Sequence, residues 1–179
     1  MTWKTHKLMT ATAVLAATGN PLWTFLATMG SVIPDGLEFL FYGHNVPHWK
    51  HRRITHWPVP YFALALVFYL ISAHLPLYHT LSFTLSSFSS ELHNFIVTLK
   101  NANLSLGHTI PIMGFWLSLG ALLHILEDAL SGKVPLWNPK RKTFGVLLVQ
   151  TRSFLESLLF VFLLLAFALV SVWQMRGGG

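Results

Sequence analysis

Histidine and carboxylate side chains cluster in this mostly apolar chain, in short motifs that are suited to metal chemistry. The sequence has ten histidines and only six acidic residues among its 179 residues. Charged groups are costly beside lipid-facing sequence, so acids that persist there are candidates for a functional site. Imidazole and carboxylate together are the ligands of zinc and related divalent metals. Six residues are candidate metal ligands: His6, Asp35, His51, His56, His124 and Asp128.

The strongest local pair is His124 and Asp128, which are four residues apart in an apolar run. At this spacing two side chains project from one face of a helix, about 6 Å apart along its axis. Such a pair suits joint binding of a divalent ion. The alternative is a buried His–Asp hydrogen bond that only ties helices together, since buried polar groups need partners. Glu127 points about 100° away and could reach a lysine or a second ion.

Two further motifs supply the candidate catalytic residues, Glu38 and Arg52. Glu38 is three residues after Asp35 and lies on the same face if this segment is helical. For Asp35 the alternative is a role as a helix cap. Arg52 lies between His51 and His56, and a guanidinium group matches the oxygens of phosphate. We therefore expect Glu38 to orient water or bind a second ion, and Arg52 to stabilise developing phosphoryl charge.

The composition points to a membrane protein. The chain is 53% hydrophobic and 10% charged, with a mean hydropathy of +0.55. It has no cysteine, which excludes disulfides and thiolate metal sites. Its net charge of +6 comes from basic residues that border apolar runs. This placement fits anionic lipid head groups better than nucleic acid, so we expect the lipid bilayer as a partner and no nucleic acid.

Three apolar runs, 59–75, 110–126 and 155–173, are long enough to cross a bilayer, which takes about 20 residues. Residues 8–32 are also apolar, but Gly19-Asn20-Pro21 divides them at a point where one helix ends and another begins. We predict an all-α polytopic membrane helical bundle with three full spans and an N-terminal re-entrant helical hairpin. Residues 1–176 would form a single membrane-embedded domain, with 177–179 a remnant outside the fold.

The hairpin brings the candidate ligands to one side of the membrane. A straight helix from His6 to Asp35 would separate them by roughly 40 Å, whereas a hairpin returns both to one side. Of the twelve Lys and Arg residues, only Lys100 and Arg176 fall on the other side, together with the loop 76–109. The positive-inside rule then predicts a multi-pass protein of the bacterial inner membrane whose site faces the cytoplasm.

Taken in order, four motifs resemble the family of LexA-binding, inner-membrane-associated metal-dependent hydrolases. They are Thr5-His6, Pro34-Asp35, His51-Arg52-x-x-Thr55-His56 and Gly120-x-x-x-His124-x-x-x-Asp128. The resemblance covers nearly the whole chain apart from the far-side loop, and it implies a membrane-held hydrolase. The chain departs from the family at Trp57, where a small polar residue is usual, and at Leu123, where Ser is common. These departures bear on the pocket more than on the ligands.

The order of ligands also resembles the zinc-dependent phospholipase C superfamily. Those all-helical enzymes use His and Asp to hold a zinc cluster that attacks phosphate esters. This second resemblance covers only the ligand pattern. It implies phosphoester hydrolysis with a divalent metal, most suitably zinc, and leaves room for more than one ion.

The sequence therefore predicts a membrane-bound metal-dependent hydrolase of phosphoesters. Lipid phosphate is the expected substrate, because a site at head-group depth meets phospholipids by lateral diffusion. The alternative is a non-catalytic membrane module that binds a partner protein, with a structural metal site closed by four protein ligands. A small transporter is a third interpretation, but its carboxylates should lie near mid-membrane, and here they cluster at one edge.

Overall fold

The fold is an all-helical bundle, as predicted. A computed structural model describes residues 1–43, 52–73 and 106–176. These ranges contain a short 3₁₀ turn, Ile54–His56, and helices α1 (Trp3–Thr18), α2 (Pro21–Gly30), α3 (Ile33–Tyr42), α4 (Pro58–Ala73), α5 (Leu106–Leu130) and α6 (Phe154–Met175). They hold no strand, only two isolated antiparallel bridges between α5 and α6. His51, most of the predicted loop 76–109 and the tail 177–179 lie outside the described residues.

The predicted break at Gly19-Asn20-Pro21 is confirmed as the turn between α1 and α2. Gly19 adopts a left-handed conformation with φ of 64°, and its N–H donates to the carbonyl of Leu15. The Asn20 side chain accepts hydrogen bonds from the first N–H groups of α2, and Pro21 opens that helix. The two helices pack against each other, so the N-terminal segment is a helical hairpin.

Helices α1 and α6 lie side by side and run in the same direction. At the start of α6, the Glu156 carboxylate accepts hydrogen bonds from the backbone N–H of Thr2 and the hydroxyl of Thr5. At the other end, a Cβ added to Gly19 would lie 2.6 Å from the side-chain oxygen of Gln174. The hairpin turn is therefore level with the end of α6, at the opposite end of the bundle from Thr2.

Helix α5 is the central helix, and α1, α2, α3 and α4 all contact it. Small residues let α2 approach it closely. A Cβ added to Gly120 would lie 1.9 Å from the carbonyl oxygen of Ala27, and one added to Gly30 would lie 2.1 Å from that of Leu117. Close backbone contact of this kind drives helix association in lipid, where no hydrophobic force acts between helices. It fixes the position of the helix that carries His124 and Asp128.

The number of membrane spans differs from the prediction. Among the described helices, two segments are long and apolar enough to cross a membrane, Ile110–Leu130 and Phe154–Met175. The predicted run 59–75 corresponds to α4, which has 16 described residues. At 1.5 Å per residue this is about 24 Å, shorter than the roughly 30 Å hydrocarbon core. Three full spans are therefore not supported.

Candidate metal centre

Three elements that are far apart in sequence bring four polar side chains together at one end of the bundle. Asp35 comes from the first turn of α3, His56 from the 3₁₀ turn, and His124 and Asp128 from the end of α5. One nitrogen or oxygen atom from each lies within 4.8 Å of the others. We call these residues the four-ligand group. The sequence predicted all four as metal ligands, and the structure places them together.

The distances within the four-ligand group suit a tetrahedral ion. Nε2 of His56 lies 3.2 Å from Oδ1 of Asp35 and 3.3 Å from Oδ2 of Asp128. Nε2 of His124 lies 3.6 Å and 3.7 Å from the same two oxygens. Zinc bonds of about 2.0–2.2 Å in tetrahedral geometry place ligand atoms about 3.3–3.6 Å apart. The donor set and its spacing therefore could hold a divalent metal ion.

The environment of His124 supports this assignment. Its side chain is 1% exposed, and neither ring nitrogen makes a hydrogen bond with any residue that the structure describes. Burying an imidazole without hydrogen bonds costs free energy, so such groups are rare in native proteins. Coordination of a metal by Nε2 would satisfy this nitrogen.

The electrostatics of the site favour positive charge between the two carboxylates. Burial alone would raise the pKa of Asp35, but the imidazoles of His124 and His56 outweigh it and hold the pKa below its usual range. Burial alone would lower the pKa of His56, but the carboxylates of Asp128 and Asp35 outweigh it and raise the pKa. A proton and a metal ion therefore compete for this position, and metal binding should release protons.

Arg52 lies beside the four-ligand group rather than within it. Its Nη2 atom is 2.9 Å from Oδ1 of Asp128. The residue has φ of 54°, a left-handed conformation that non-glycine residues adopt at a cost. Its backbone N–H donates to Oε2 of Glu38 at 2.9 Å, which helps to hold this backbone in place. Arg52, predicted as a catalytic residue, thus lies next to a predicted metal ligand, and its catalytic role stays a prediction.

Glu38 lies on the opposite side of the His56 ring from the other carboxylates. Its Oε2 atom is 3.4 Å from Nδ1 of His56, whereas Nε2 faces Asp35 and Asp128. The hydroxyl of Thr55 also donates to Glu38. A carboxylate behind a histidine ligand fixes the orientation of its ring in many metal sites. The structure therefore places Glu38 where it could fix the His56 ring, and its predicted role in orienting water stays a prediction.

His6 approaches the site but is not part of the four-ligand group. Its Nε2 lies 3.1 Å from Oδ1 of Asp128, and its ring lies 4.1 Å from that of His124. Its Nδ1 is hydrogen-bonded to Glu127 at 2.8 Å, and the hydroxyl of Thr10 donates to the other oxygen of Glu127. His51, the sixth predicted ligand, lies outside the described residues, so its role stays a prediction.

Sequence reasoning missed the pairing of Glu127 with His6 and Thr10. It assigned Glu127 to a lysine or a second ion, whereas the carboxylate is buried against α1. The sequence did contain one indication of this pairing. His6 and Thr10 are four residues apart, so they share a face of α1. Two polar side chains on one face of an apolar hairpin need a polar partner.

Comparison with known proteins identifies the family of this chain through a family model. A family model described as YdjM inner membrane protein matches residues 1–178. No curated protein and no solved structure matches the chain.

Proposed function

The chain belongs to the YdjM inner membrane protein family, and we propose that it is a metal-dependent phosphoester hydrolase whose site faces the cytoplasm. The observation that carries this proposal is the four-ligand group, two imidazoles and two carboxylates with one atom each within 4.8 Å of the others. Zinc is the ion that this nitrogen and oxygen set fits best. When bound, such an ion polarises a phosphoryl oxygen and makes water more acidic.

Four residues of the site would hold the ion, and Arg52 would bind the substrate. His56, His124, Asp35 and Asp128 would hold the ion. The side chain of Asp35 is 16% exposed, while those of His56 and Asp128 are 0% and 2% exposed, so substrate would approach past Asp35. Arg52, next to Asp128, would stabilise negative charge that develops on a phosphoryl group.

The depth of the site supports lipid phosphate as the substrate class. His124 and Asp128 lie in the last two turns of the apolar segment Ile110–Leu130, so the site is at one end of a candidate span. The ends of membrane spans lie at the level of lipid head groups. A phospholipid could therefore present its phosphate at the site without leaving the bilayer.

A second candidate function is a non-catalytic membrane module with a structural metal that binds a partner protein. The observation in its favour is the number of ligands, because structural zinc sites are closed by four protein ligands. Arg52 and the partial exposure of Asp35 favour hydrolysis instead. The two functions differ in a measurable way, since only the hydrolase releases phosphate or a head group from an ester.

The cytoplasmic orientation of the site predicts the outcome of reporter fusions. We expect cytoplasmic signals from fusions at Lys7 and Lys142 and a signal from the opposite side at Arg176, because the end of α6 is distant from the site and carries few basic residues. Matching signals from Lys142 and Arg176 would contradict a crossing by α6. Exported signals from both Lys7 and Lys142 would contradict the cytoplasmic site.

Arg52→Ala should keep the metal but lower the turnover of a phosphodiester by about 10²-fold, the usual cost of removing a group that stabilises charge in the transition state. Arg152→Ala is a matched control, because Arg152 also has a left-handed backbone and donates its N–H to a buried glutamate, Glu156. Rates and metal content would be measured for both variants. Equal rates for Arg52→Ala and Arg152→Ala would contradict the role of Arg52.

A further inference from the structure

The chain turns back after α5 and runs along that helix. We call residues 131–147 the returning segment. Val134 and Phe144 pair in it as an antiparallel bridge, with the N–H of each bonded to the carbonyl of the other. Val134 is buried in one hydrophobic cluster with Ala121 and Ile125, two residues of the candidate span in α5. The returning segment is therefore packed against a candidate membrane span.

Two apolar cavities lie between the returning segment and α5. The larger, of about 530 Å³, extends to α1, and the smaller, of about 280 Å³, extends to α4. Leu123, Leu126 and Phe144 line both, so the two cavities are neighbours. Only Glu127 and Thr143 bring polar groups to the lining, both in the larger cavity. The cavities therefore offer adjoining space that suits hydrocarbon chains.

The cavities lie on the face of α5 that is turned away from the metal centre. Leu126 is two residues from both His124 and Asp128, which corresponds to about 200° around a helix. It is 56% exposed, as a residue that faces lipid can be. A molecule in the cavities would therefore enter from the bilayer, and α5 would separate it from the four-ligand group.

Positive charge lies next to this apolar space. The loop 131–153 has five basic residues and no acidic residue. Lys140 and Arg141 are exposed and lie within four residues of Phe144, and Trp137, near them in the chain, is 81% exposed. Tryptophan and basic side chains are typical of the level of lipid head groups. Apolar cavities beside a basic turn complement an anionic lipid, whereas a second copy of this chain would bring the same positive charge.

We propose that α5 and the returning segment bind an anionic phospholipid, whose acyl chains occupy the two cavities and whose head group contacts Lys140 and Arg141. This lipid site is separate from the metal centre and does not depend on hydrolysis. The lipid fills space between α5 and its neighbours, so its binding stabilises the folded protein.

The first test fills the cavities with a larger side chain. Leu126→Trp changes a residue that lines both, and Leu165→Trp makes the same change at an exposed residue of α6 that lines neither. Binding of phosphatidylglycerol to the full-length protein in detergent would be measured by native mass spectrometry. We expect Leu126→Trp to weaken binding by about tenfold or more, because the indole displaces several buried methylene groups. Leu165→Trp should leave binding unchanged.

The second test removes the charge of the turn. Lys140→Gln combined with Arg141→Gln should weaken the binding of phosphatidylglycerol by about tenfold or more. Binding of phosphatidylcholine, which has the same acyl chains and no net charge, should not change. Both substitutions are at exposed side chains, so this variant decides the question even where the Leu126→Trp protein does not fold.

Three results would overturn the lipid site. One is equal affinity of folded Leu126→Trp and Leu165→Trp proteins for phosphatidylglycerol. Another is wild-type protein that retains no phospholipid, or that binds phosphatidylglycerol and phosphatidylcholine equally. The third is a dimer that forms without lipid and that Leu126→Trp dissociates, which would assign the cavities to a second copy of the chain.

Discussion

Asp128→Asn should abolish stoichiometric metal binding. Oδ2 of Asp128 is the oxygen that both His56 and His124 approach, at 3.3 Å and 3.7 Å, so the substitution removes charge from the centre of the ligand set. Replacing a partner outside the coordination shell commonly costs 10–100-fold in metal affinity, and loss of a ligand should cost more than about 100-fold. Metal content would be measured on protein purified in non-chelating detergent and titrated with zinc.

Glu127→Gln is the matched control for this experiment. Glu127 is the adjacent residue on α5 and is also buried, but its carboxylate is bonded to His6 and Thr10, and it is not in the four-ligand group. We expect this variant to retain metal and to show a zinc-dependent rise in melting temperature, because binding to the native state alone stabilises it. Wild-type protein that neither carries nor gains metal would refute the metal centre. Equal metal loss in both variants would refute the assignment of Asp128 as a ligand.

The local features of the fold could be predicted from the sequence because each depends on a few neighbouring residues. Gly19-Asn20-Pro21 combines a residue that tolerates positive φ, a side chain that caps a helix, and a residue that opens one. The His124–Asp128 pair depends only on the periodicity of a helix. Both features appear in the structure as expected.

The partners of the acidic residues could not be predicted in the same way. Glu127 contacts His6, a residue 121 positions away, because α1 packs beside α5 with one particular rotation. Sequence periodicity gives the face of a helix on which a residue lies, but not which residue of another helix meets it. For the same reason the spacing of Asp35 and Glu38 did not reveal that they contact different nitrogens of His56.

Three full spans are not supported, because the described part of the apolar run 59–75 is too short to cross a bilayer. The run 59–75 is strongly apolar, and several of its large side chains, such as Phe62 and Leu70, are exposed. Its 16 described residues nevertheless span less than the hydrocarbon thickness. The positive-inside argument is less affected, because α6 takes the chain from the end of the bundle that holds Thr5 to the end that holds Gly19.

Asp35→Asn should reduce phosphoester hydrolysis by at least about 10³-fold, which corresponds to about 4 kcal/mol of transition-state stabilisation. Asp35 supplies the oxygen nearest to Nε2 of His56, at 3.2 Å, and it is the ligand most exposed to an approaching substrate. The experiment is a panel of phospholipids with wild-type and variant protein, in which released head group or phosphate is measured. Chelation should stop the wild-type reaction, and added zinc should restore it.

Gly36→Ala provides the control for local disturbance of α3. It changes the next residue in the same turn, and a Cβ added there would meet no atom within 4 Å. A Gly-to-Ala change in a helix is neutral or slightly stabilising where the added Cβ meets no other atom, so this variant should hydrolyse the same lipids at the wild-type rate. If wild-type and Asp35→Asn protein release products at equal rates that do not depend on metal, the hydrolase proposal fails. The four-ligand group would then be better explained as a structural metal site in a membrane module that binds a partner protein.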